Sequence, residues 1–107
     1  MEIKNIWFEC DEWENGFDEN NDSIDVHFDI EDGSRWCAEF MTYQYMMTLA
    51  EKNKCSGEML GGQYFYSDKP IFIKRIDKAL IVSVLNDIIQ TETELDKIFT
   101  KVDSSNE

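Results

Sequence analysis

The chain reads as an α+β protein: an antiparallel sheet with helices packed on one face, a two-layer sandwich in the order β-β-β-α-β-α-α. Three observations predict it. Ile24, Val26, Phe28 and Ile30 alternate strictly with Asp25, His27, Asp29 and Glu31, and a period of two is the mark of a half-buried strand. Asp32-Gly33 follows at once as a hairpin signal. Further on, Ile81, Val84, Leu85 and Ile88 recur at the i, i+3, i+4, i+7 spacing of a core-facing helix. A sheet with one apolar face is covered most economically by laying such helices against that face.

The elements follow in order. Ile3 to Cys10 is rich in β-branched and aromatic residues and reads as a first strand. An acidic loop then runs through Trp13, Gly16 and Phe17 and ends near Ser23. The hairpin register is tested by the next strand, Trp36, Ala38 and Phe40. A two-residue loop would set Ile30 opposite Arg35 and Val26 opposite Glu39, mixing core and solvent faces. A three-residue loop, Asp32-Gly33-Ser34, pairs Ile30 with Trp36, Phe28 with Ala38 and Val26 with Phe40, while Glu31 meets Arg35 and His27 meets Glu39. The three-residue loop is therefore expected. Thr42 is placed to cap a helix from about Tyr43 to Lys54, with Met46, Met47, Leu49 and Ala50 as its apolar stripe and Gly57 just past its end. Gly61-Gly62 breaks the chain. Gln63 to Tyr66 and Ile71 to Lys74 read as short extended segments around the turn Ser67-Asp68-Lys69-Pro70. Asp77 caps a helix of about Lys78 to Gln90, and Thr91 with Glu94 forms a capping-box pattern before a last helix carrying Leu95, Ile98, Phe99 and Val102. Residues 1–102 form one domain and 103–107 a flexible tail.

Charge bounds the function. The chain of 107 residues carries a net charge of -13, yet it is 42% hydrophobic and 13% aromatic, too apolar for disorder. No Lys or Arg lies between Lys4 and Arg35, and that window holds Glu9, Asp11, Glu12, Glu14, Asp18, Glu19, Asp22, Asp25, Asp29, Glu31 and Asp32. Like charges held together repel, so a focused negative field points to a positive partner or a cation. The balance argues against direct binding to nucleic acid or anionic membrane, where Lys and Arg supply the affinity. An acidic surface also keeps a small protein dissolved, but solubility does not require charge to be segregated by sign along the chain. MEIKNIWFEC has no basic segment followed by an apolar one, and no apolar stretch is long enough for a membrane helix, so a cytoplasmic protein is expected. Cys10, Cys37 and Cys55 lie in no paired spacing and read as reduced thiols.

Catalytic and metal chemistry find little support. Asp18, Asn20 and Asp22 occupy the first, third and fifth positions of a calcium-loop template. Ser23 then stands where the sharp turn wants Gly, Asp29 where a bidentate Glu is expected, and the alternation from Ile24 claims the same residues for a strand. His27 is the only histidine, without a Cys spacing to complete a zinc site. Gly57-Glu58-Met59-Leu60-Gly61-Gly62 lacks the Lys-Ser/Thr ending of a phosphate loop. Tyr64, Phe65 and Tyr66 read first as core, with an exposed anchor pair, Tyr64 and Tyr66, as the alternative. No catalytic residue, metal ligand or cofactor site is assigned, and the chain is not read as an enzyme.

The run DGSRWCAEFMTYQYMMTLAEKN, Asp32 to Asn53, followed by SGEMLGGQYFYSDKPIFIKRI, Ser56 to Ile76, resembles a bacterial family of small immunity proteins. These accompany secreted polymorphic toxins, including those of contact-dependent growth inhibition systems. The shared features are the D-G-x-R-[YW] hairpin, the Thr-capped helix, the G-E-x-L-x-G-x-Y-F segment and the S-D-x-x-I strand. The resemblance implies a cytoplasmic toxin inhibitor, binding one-to-one to the C-terminal domain of a cognate toxin and covering its active site or substrate surface. The charge implies that this domain is basic, as the substrate surface of a nuclease must be. The residues expected to meet it are Asp11, Glu12, Trp13, Glu14, Phe17, Asp18, Glu19 and Asp22 in the loop, with Asp25 and Asp29 in a row on the following strand. The loop is expected to distinguish one partner from another, and Trp13, Phe17 or Tyr66 to slow dissociation. A divalent-cation-binding module, or an acidic protein-interaction domain of another role, is the alternative.

Overall fold

The alternation in the sequence becomes a two-sided sheet. In a computed structural model that describes residues 2–102, the elements are β1 (Ile3–Phe8), β2 (Ser23–Ile30), β3 (Arg35–Thr42), α1 (Tyr43–Ser56), α2 (Glu58–Gly62), β4 (Pro70–Ile73), α3 (Lys78–Thr91) and β5 (Thr100–Val102). The expected tail, 103–107, lies outside the described residues. The sheet runs β1-β2-β3-β4, with β5 also on β3. Ile24, Val26, Phe28 and Ile30 of β2 and Trp36, Ala38 and Phe40 of β3 are buried on one face. Against them α3 sets Ile81, Leu85 and Ile89, with Val84 and Ile88 partly buried beside them. This is the α+β sandwich that the periodicities predict.

The far edge of β3 is divided between two strands. β5 pairs antiparallel along Arg35, Trp36 and Cys37, and β4 pairs parallel along Glu39 to Thr42. The parallel pair departs from the otherwise antiparallel sheet because the chain leaves β3 through α1 and α2 before returning, and a long crossover permits a parallel return.

The hairpin loop has three residues, as expected, but they are Glu31-Asp32-Gly33. Ile30 N–H donates to Ser34 O at 3.1 Å, Gly33 N–H donates to Ile30 O at 3.0 Å, and Gly33 takes φ +89°. A three-residue hairpin wants a type I turn followed by a left-handed residue, so glycine belongs at its third position rather than its second. The ladder therefore slips by one step: Phe28 faces Trp36, Val26 faces Ala38, Ile24 faces Phe40, His27 faces Cys37, Asp25 faces Glu39 and Asp29 faces Arg35. The slip moves each partner by two residues, so every side chain keeps its face.

Two further expectations are corrected. Residues 92–102 form no α-helix. The Thr91 hydroxyl donates to Asp87 O and Ile88 O at the end of α3, and so does not cap a new helix. Leu95–Lys97 makes a 3₁₀ turn, and the chain then enters β5. Phe99 is carried into the core this way, with its ring edge-on to Phe28 at 5.0 Å and 6.5 Å from Trp36. Gln63 to Tyr66 is not a strand either. Tyr64 and Tyr66 stack on each other at 6.3 Å and are exposed, rather than entering the core.

The helix ends follow the sequence signals. Thr42 Oγ1 accepts from Tyr45 N–H at α1, Asp77 Oδ1 accepts from Leu80 N–H at α3, and Gly57 ends α1 in the left-handed region. α2 is a single turn whose backbone is left-handed at Met59, Leu60 and Gly61. It lies close on α1: a Cβ at Gly62 would stand 2.3 Å from Ala50 O, at φ +81°, so only glycine fits there. No helix among the described residues is long and apolar enough to cross a membrane.

Candidate functional site

The acidic window separates into a loop and a strand face, and its charges meet different fates. Asp11 pairs with the Lys78 ammonium at the first turn of α3. Glu19 lies 3.7 Å from Arg75. Asp22 is turned inward: its Oδ1 accepts from Ser23 N–H and its Oδ2 from Asp18 N–H, while Asp18 Oδ1 accepts from Asn20 N–H. Two of the three oxygen-bearing residues of the calcium template thus commit carboxylate oxygens to the backbone of their own loop. The loop is also pinned from outside. Asp22 N–H donates to Thr42 Oγ1, Thr42 N–H to Asp22 O, and Ile76 N–H to Glu19 O at 2.7 Å. Trp13 packs partly buried against the core, and Phe17 is exposed at 38%. Glu12 and Glu14 are exposed, and among the described residues neither makes an ion pair.

The strand face is the outer side of the sheet, opposite α3. Asp29 there is held by Arg35, with Nε to Oδ1 at 2.7 Å and Nη2 to Oδ2 at 3.3 Å, and by Asn5 Nδ2 at 3.2 Å. The Arg35 bond holds its carboxyl below the usual aspartate range. The guanidinium also lies 4.8 Å from the Trp7 ring centroid. Among the described residues Asp25 has no such cation. Its cross-strand partner is Glu39, and its own N–H lies 3.5 Å from a Glu9 carboxylate oxygen. Like charges directly opposed on paired strands destabilise a sheet. Burial, with Asp25 and Asp68 adding to it, pushes the Glu39 carboxyl up, while the Ser23 hydroxyl, donating to Glu39 Oε2, draws it down.

Where β4 leaves off along β3 and β5 begins, a groove of about 350 Å³ opens, lined by Asp25, Cys37, Glu39, Asp68, Lys69, Ile98 and Thr100. Its one cationic lining residue is committed elsewhere: Lys69 Nζ donates to Asp96 O at 2.7 Å and to Phe99 O at 3.5 Å. Cys37 Sγ lies 3.9 Å from His27 Nε2, a pairing that resembles a nucleophile beside a base. Burial, then Asp25, Glu9 and Glu39, push the thiol up to about 11. A nucleophile needs the opposite environment, one that favours the thiolate. Among the described residues no three His, Cys, Asp or Glu side chains are grouped to hold a metal ion. All three cysteines are free, with Cys10 buried and Cys55 exposed. The arrangement is suited to receiving positive charge.

No protein-family model, curated protein or solved structure matches the chain.

Of the residues singled out by charge alone, the structure brings Asp25 together with Glu9 and Glu39 and sets Asp29 beside Arg35. It leaves Asp11, Glu12, Trp13, Glu14, Phe17, Asp18, Glu19 and Asp22 along the separate loop. Glu39, Asp68 and Trp7 were missed as candidates. The register would have found Glu39, since placing Gly33 third in its loop sets Glu39 opposite Asp25. Glu39 also yields a pH prediction. Its folded-state pKa is raised above the ordinary 4.5, so its penalty is absent below that value, where the carboxyl is neutral in both states. The penalty is present above the folded-state value. Glu39→Gln keeps the acceptor for Ser23 and is expected to raise the melting temperature at neutral pH. The gain should shrink to nothing as the pH falls below the usual glutamate range, as followed by thermal unfolding across pH.

Proposed function

We propose that this protein is a cytoplasmic immunity protein of a polymorphic-toxin system of the contact-dependent growth inhibition type. It neutralises one cognate toxin domain by covering that domain's basic, nuclease-type substrate surface, in a one-to-one complex. The observation that carries this reading is an acidic surface whose charges are incompletely compensated inside the chain. Asp25 faces Glu39 instead of a cation, and Glu12 and Glu14 stand exposed without an ion pair among the described residues. The resemblance of Asp32 to Ile76 to immunity proteins supplies the class of partner, and charge supplies its sign. Opposed fields raise association toward about 10⁸ M⁻¹s⁻¹ at low salt, which suits an inhibitor that must capture a toxin before damage accumulates.

The reading predicts a secreted protein with a basic C-terminal domain encoded beside this chain, and the test uses that domain. Co-expression of the two is expected to restore growth that the domain alone abolishes, and absence of rescue with both proteins present at comparable levels counts against the reading. Glu12→Lys with Glu14→Lys reverses two charges without touching a structural bond. It is expected to slow association about tenfold at low salt and to flatten its salt dependence, with dissociation little changed. Stopped-flow mixing at several salt concentrations checks it.

A further inference from the structure

We infer that the outer face of the sheet, between Trp7 at one end and the stacked rings of Tyr43 and Phe72 at the other, docks an extended, arginine-bearing segment of a basic partner protein. The identity of the partner rests on the immunity reading. The choice of face and of arginine rests on the exposed aromatics and the carboxylates between them.

The inner face is filled by α3 and Phe99, whereas the outer face leaves large aromatics in solvent. Trp7 is 45% exposed, Tyr43 56% and Phe72 39%, and Tyr43 and Phe72 stack at 6.2 Å with the rings 15° apart. Trp7 stands in the row of His27 and Cys37, and Phe72 in the row of Met41. The two aromatic ends are therefore four residues apart along β3, about 13 Å at the rise of a strand, and three strands apart across the sheet, about 14 Å, so about 20 Å separates them. An extended segment of about six residues, running obliquely over the strands, covers that span.

Between the ends lie Asp25, Glu39, Glu9 and Asp68, around a groove whose only cationic lining side chain, Lys69, is bonded to carbonyls. Lys69 keeps its charge when bonded to neutral carbonyls, but the lining carboxylates Asp25, Glu39 and Asp68 outnumber it, so the groove favours a positively charged occupant. A second copy of this chain would bring acid against acid, at a net charge of -13 on each side. Arginine fits better than lysine, because a planar guanidinium can bond two carboxylate oxygens and stack on a ring at once. The same face already holds one guanidinium this way: Arg35 bonds both oxygens of Asp29 and lies over Trp7. A partner arginine between Asp25 and Glu39 repeats that arrangement further along the ladder and removes the like-charge opposition.

The experiment needs no toxin, so its failure is distinct from failure of the rescue test. An acetylated octapeptide alternating arginine and valine is titrated into isotopically labelled protein at physiological salt, and backbone amide and indole N–H shifts are followed by NMR. The expected result is localised shifts at the Trp7 indole and at Asp25, Cys37, Glu39 and Phe72. Affinity should fall at least about tenfold in the Asp25→Asn, Glu39→Gln double variant, the scale of one charge-assisted hydrogen bond removed. Replacing the arginines by lysines should also weaken binding. The thermal unfolding of the double variant verifies that it is folded. Shifts centred on residues 11–22, shifts spread evenly over all acidic residues, affinity unchanged in the double variant, or concentration-dependent self-association each overturn the inference.

Discussion

Phe99→Ala is expected to destabilise the protein by about 3–5 kcal/mol, the range for removing a fully buried phenylalanine from a packed core. Phe99 has no exposed surface, meets Phe28 edge-to-face at 5.0 Å and approaches Trp36 at 6.5 Å. Its backbone lies in the short link between the 3₁₀ turn and β5, where its N–H donates to Leu95 O at 2.8 Å and its carbonyl faces Lys69. Truncation therefore opens a cavity under β2 and β3, and also loosens the segment that closes one side of the groove. For a chain of this size the loss lowers the melting temperature by roughly 10–20 °C. Urea unfolding should show a lower midpoint with an unchanged slope, and a loss below about 1 kcal/mol would show that Phe99 is not the core residue described. Were 92–102 the amphipathic helix that the Leu95, Ile98, Phe99 and Val102 spacing suggests, Val102 would be core and Val102→Ala would cost about 2 kcal/mol, the transfer of two methyl groups plus a cavity. In the structure Val102 is only half-buried at the end of β5, so it is expected to cost well under half as much.

Thr42→Val, nearly isosteric, is expected to cost about 2–4 kcal/mol, because it removes the acceptor of two N–H groups at once. Thr42 is fully buried, and its Oγ1 accepts from Tyr45 N–H at 3.1 Å and from Asp22 N–H at 3.2 Å. One hydroxyl thus caps α1 and anchors the acidic loop to the end of β3. Thr42→Ser retains the hydroxyl and gives up one methyl, so it should recover most of the loss. Hydrogen exchange separates this from a merely local helix effect: the amides of Asp18, Asn21 and Asp22 should exchange faster in the valine variant and not in the serine variant. If only the first turn of α1 changes, Thr42 is a cap and nothing more.

The two variants mark where sequence reading succeeds and where it stops. Thr42 as a cap was legible because capping is local: a hydroxyl three residues before the N–H that it accepts needs no knowledge of the rest of the chain. Asp77, Gly57 and the stripe of α3 were legible for the same reason. The second bond of Thr42, to Asp22 across the fold, was not. Phe99 failed for a related reason. A capping-box pattern with apolar residues at helical spacing is equally satisfied by a helix or by a turn that drops two side chains into a core already built. The Thr91 hydroxyl, bonded back to Asp87 O and Ile88 O, shows which alternative was realised.

The candidate site divides in the same way. That the chain offers negative charge to a positive partner was written in the missing Lys and Arg between Lys4 and Arg35. Which acids remain available was not, because the fold sets the ion pairs: Asp11 to Lys78 and Glu19 to Arg75 between distant residues, and Asp29 to Arg35 through the hairpin register. The loop looked the better docking element from composition, yet much of it is occupied in holding itself together.

By itself the sequence determined the alternation that gives β2 two faces, the helix caps, the acidic window and the sign of the charge sought in a partner. All of these depend on neighbours within a few residues, where periodicity and side-chain chemistry act directly. Only the tertiary structure decided that β4 and β5 share one edge of β3 and open a groove between them, and that Phe99 fills the core. Each depends on pairing between segments far apart in the chain. Such pairing is chosen by the packing of the whole core, in which a one-step slip of the hairpin preserves every face and still exchanges every partner.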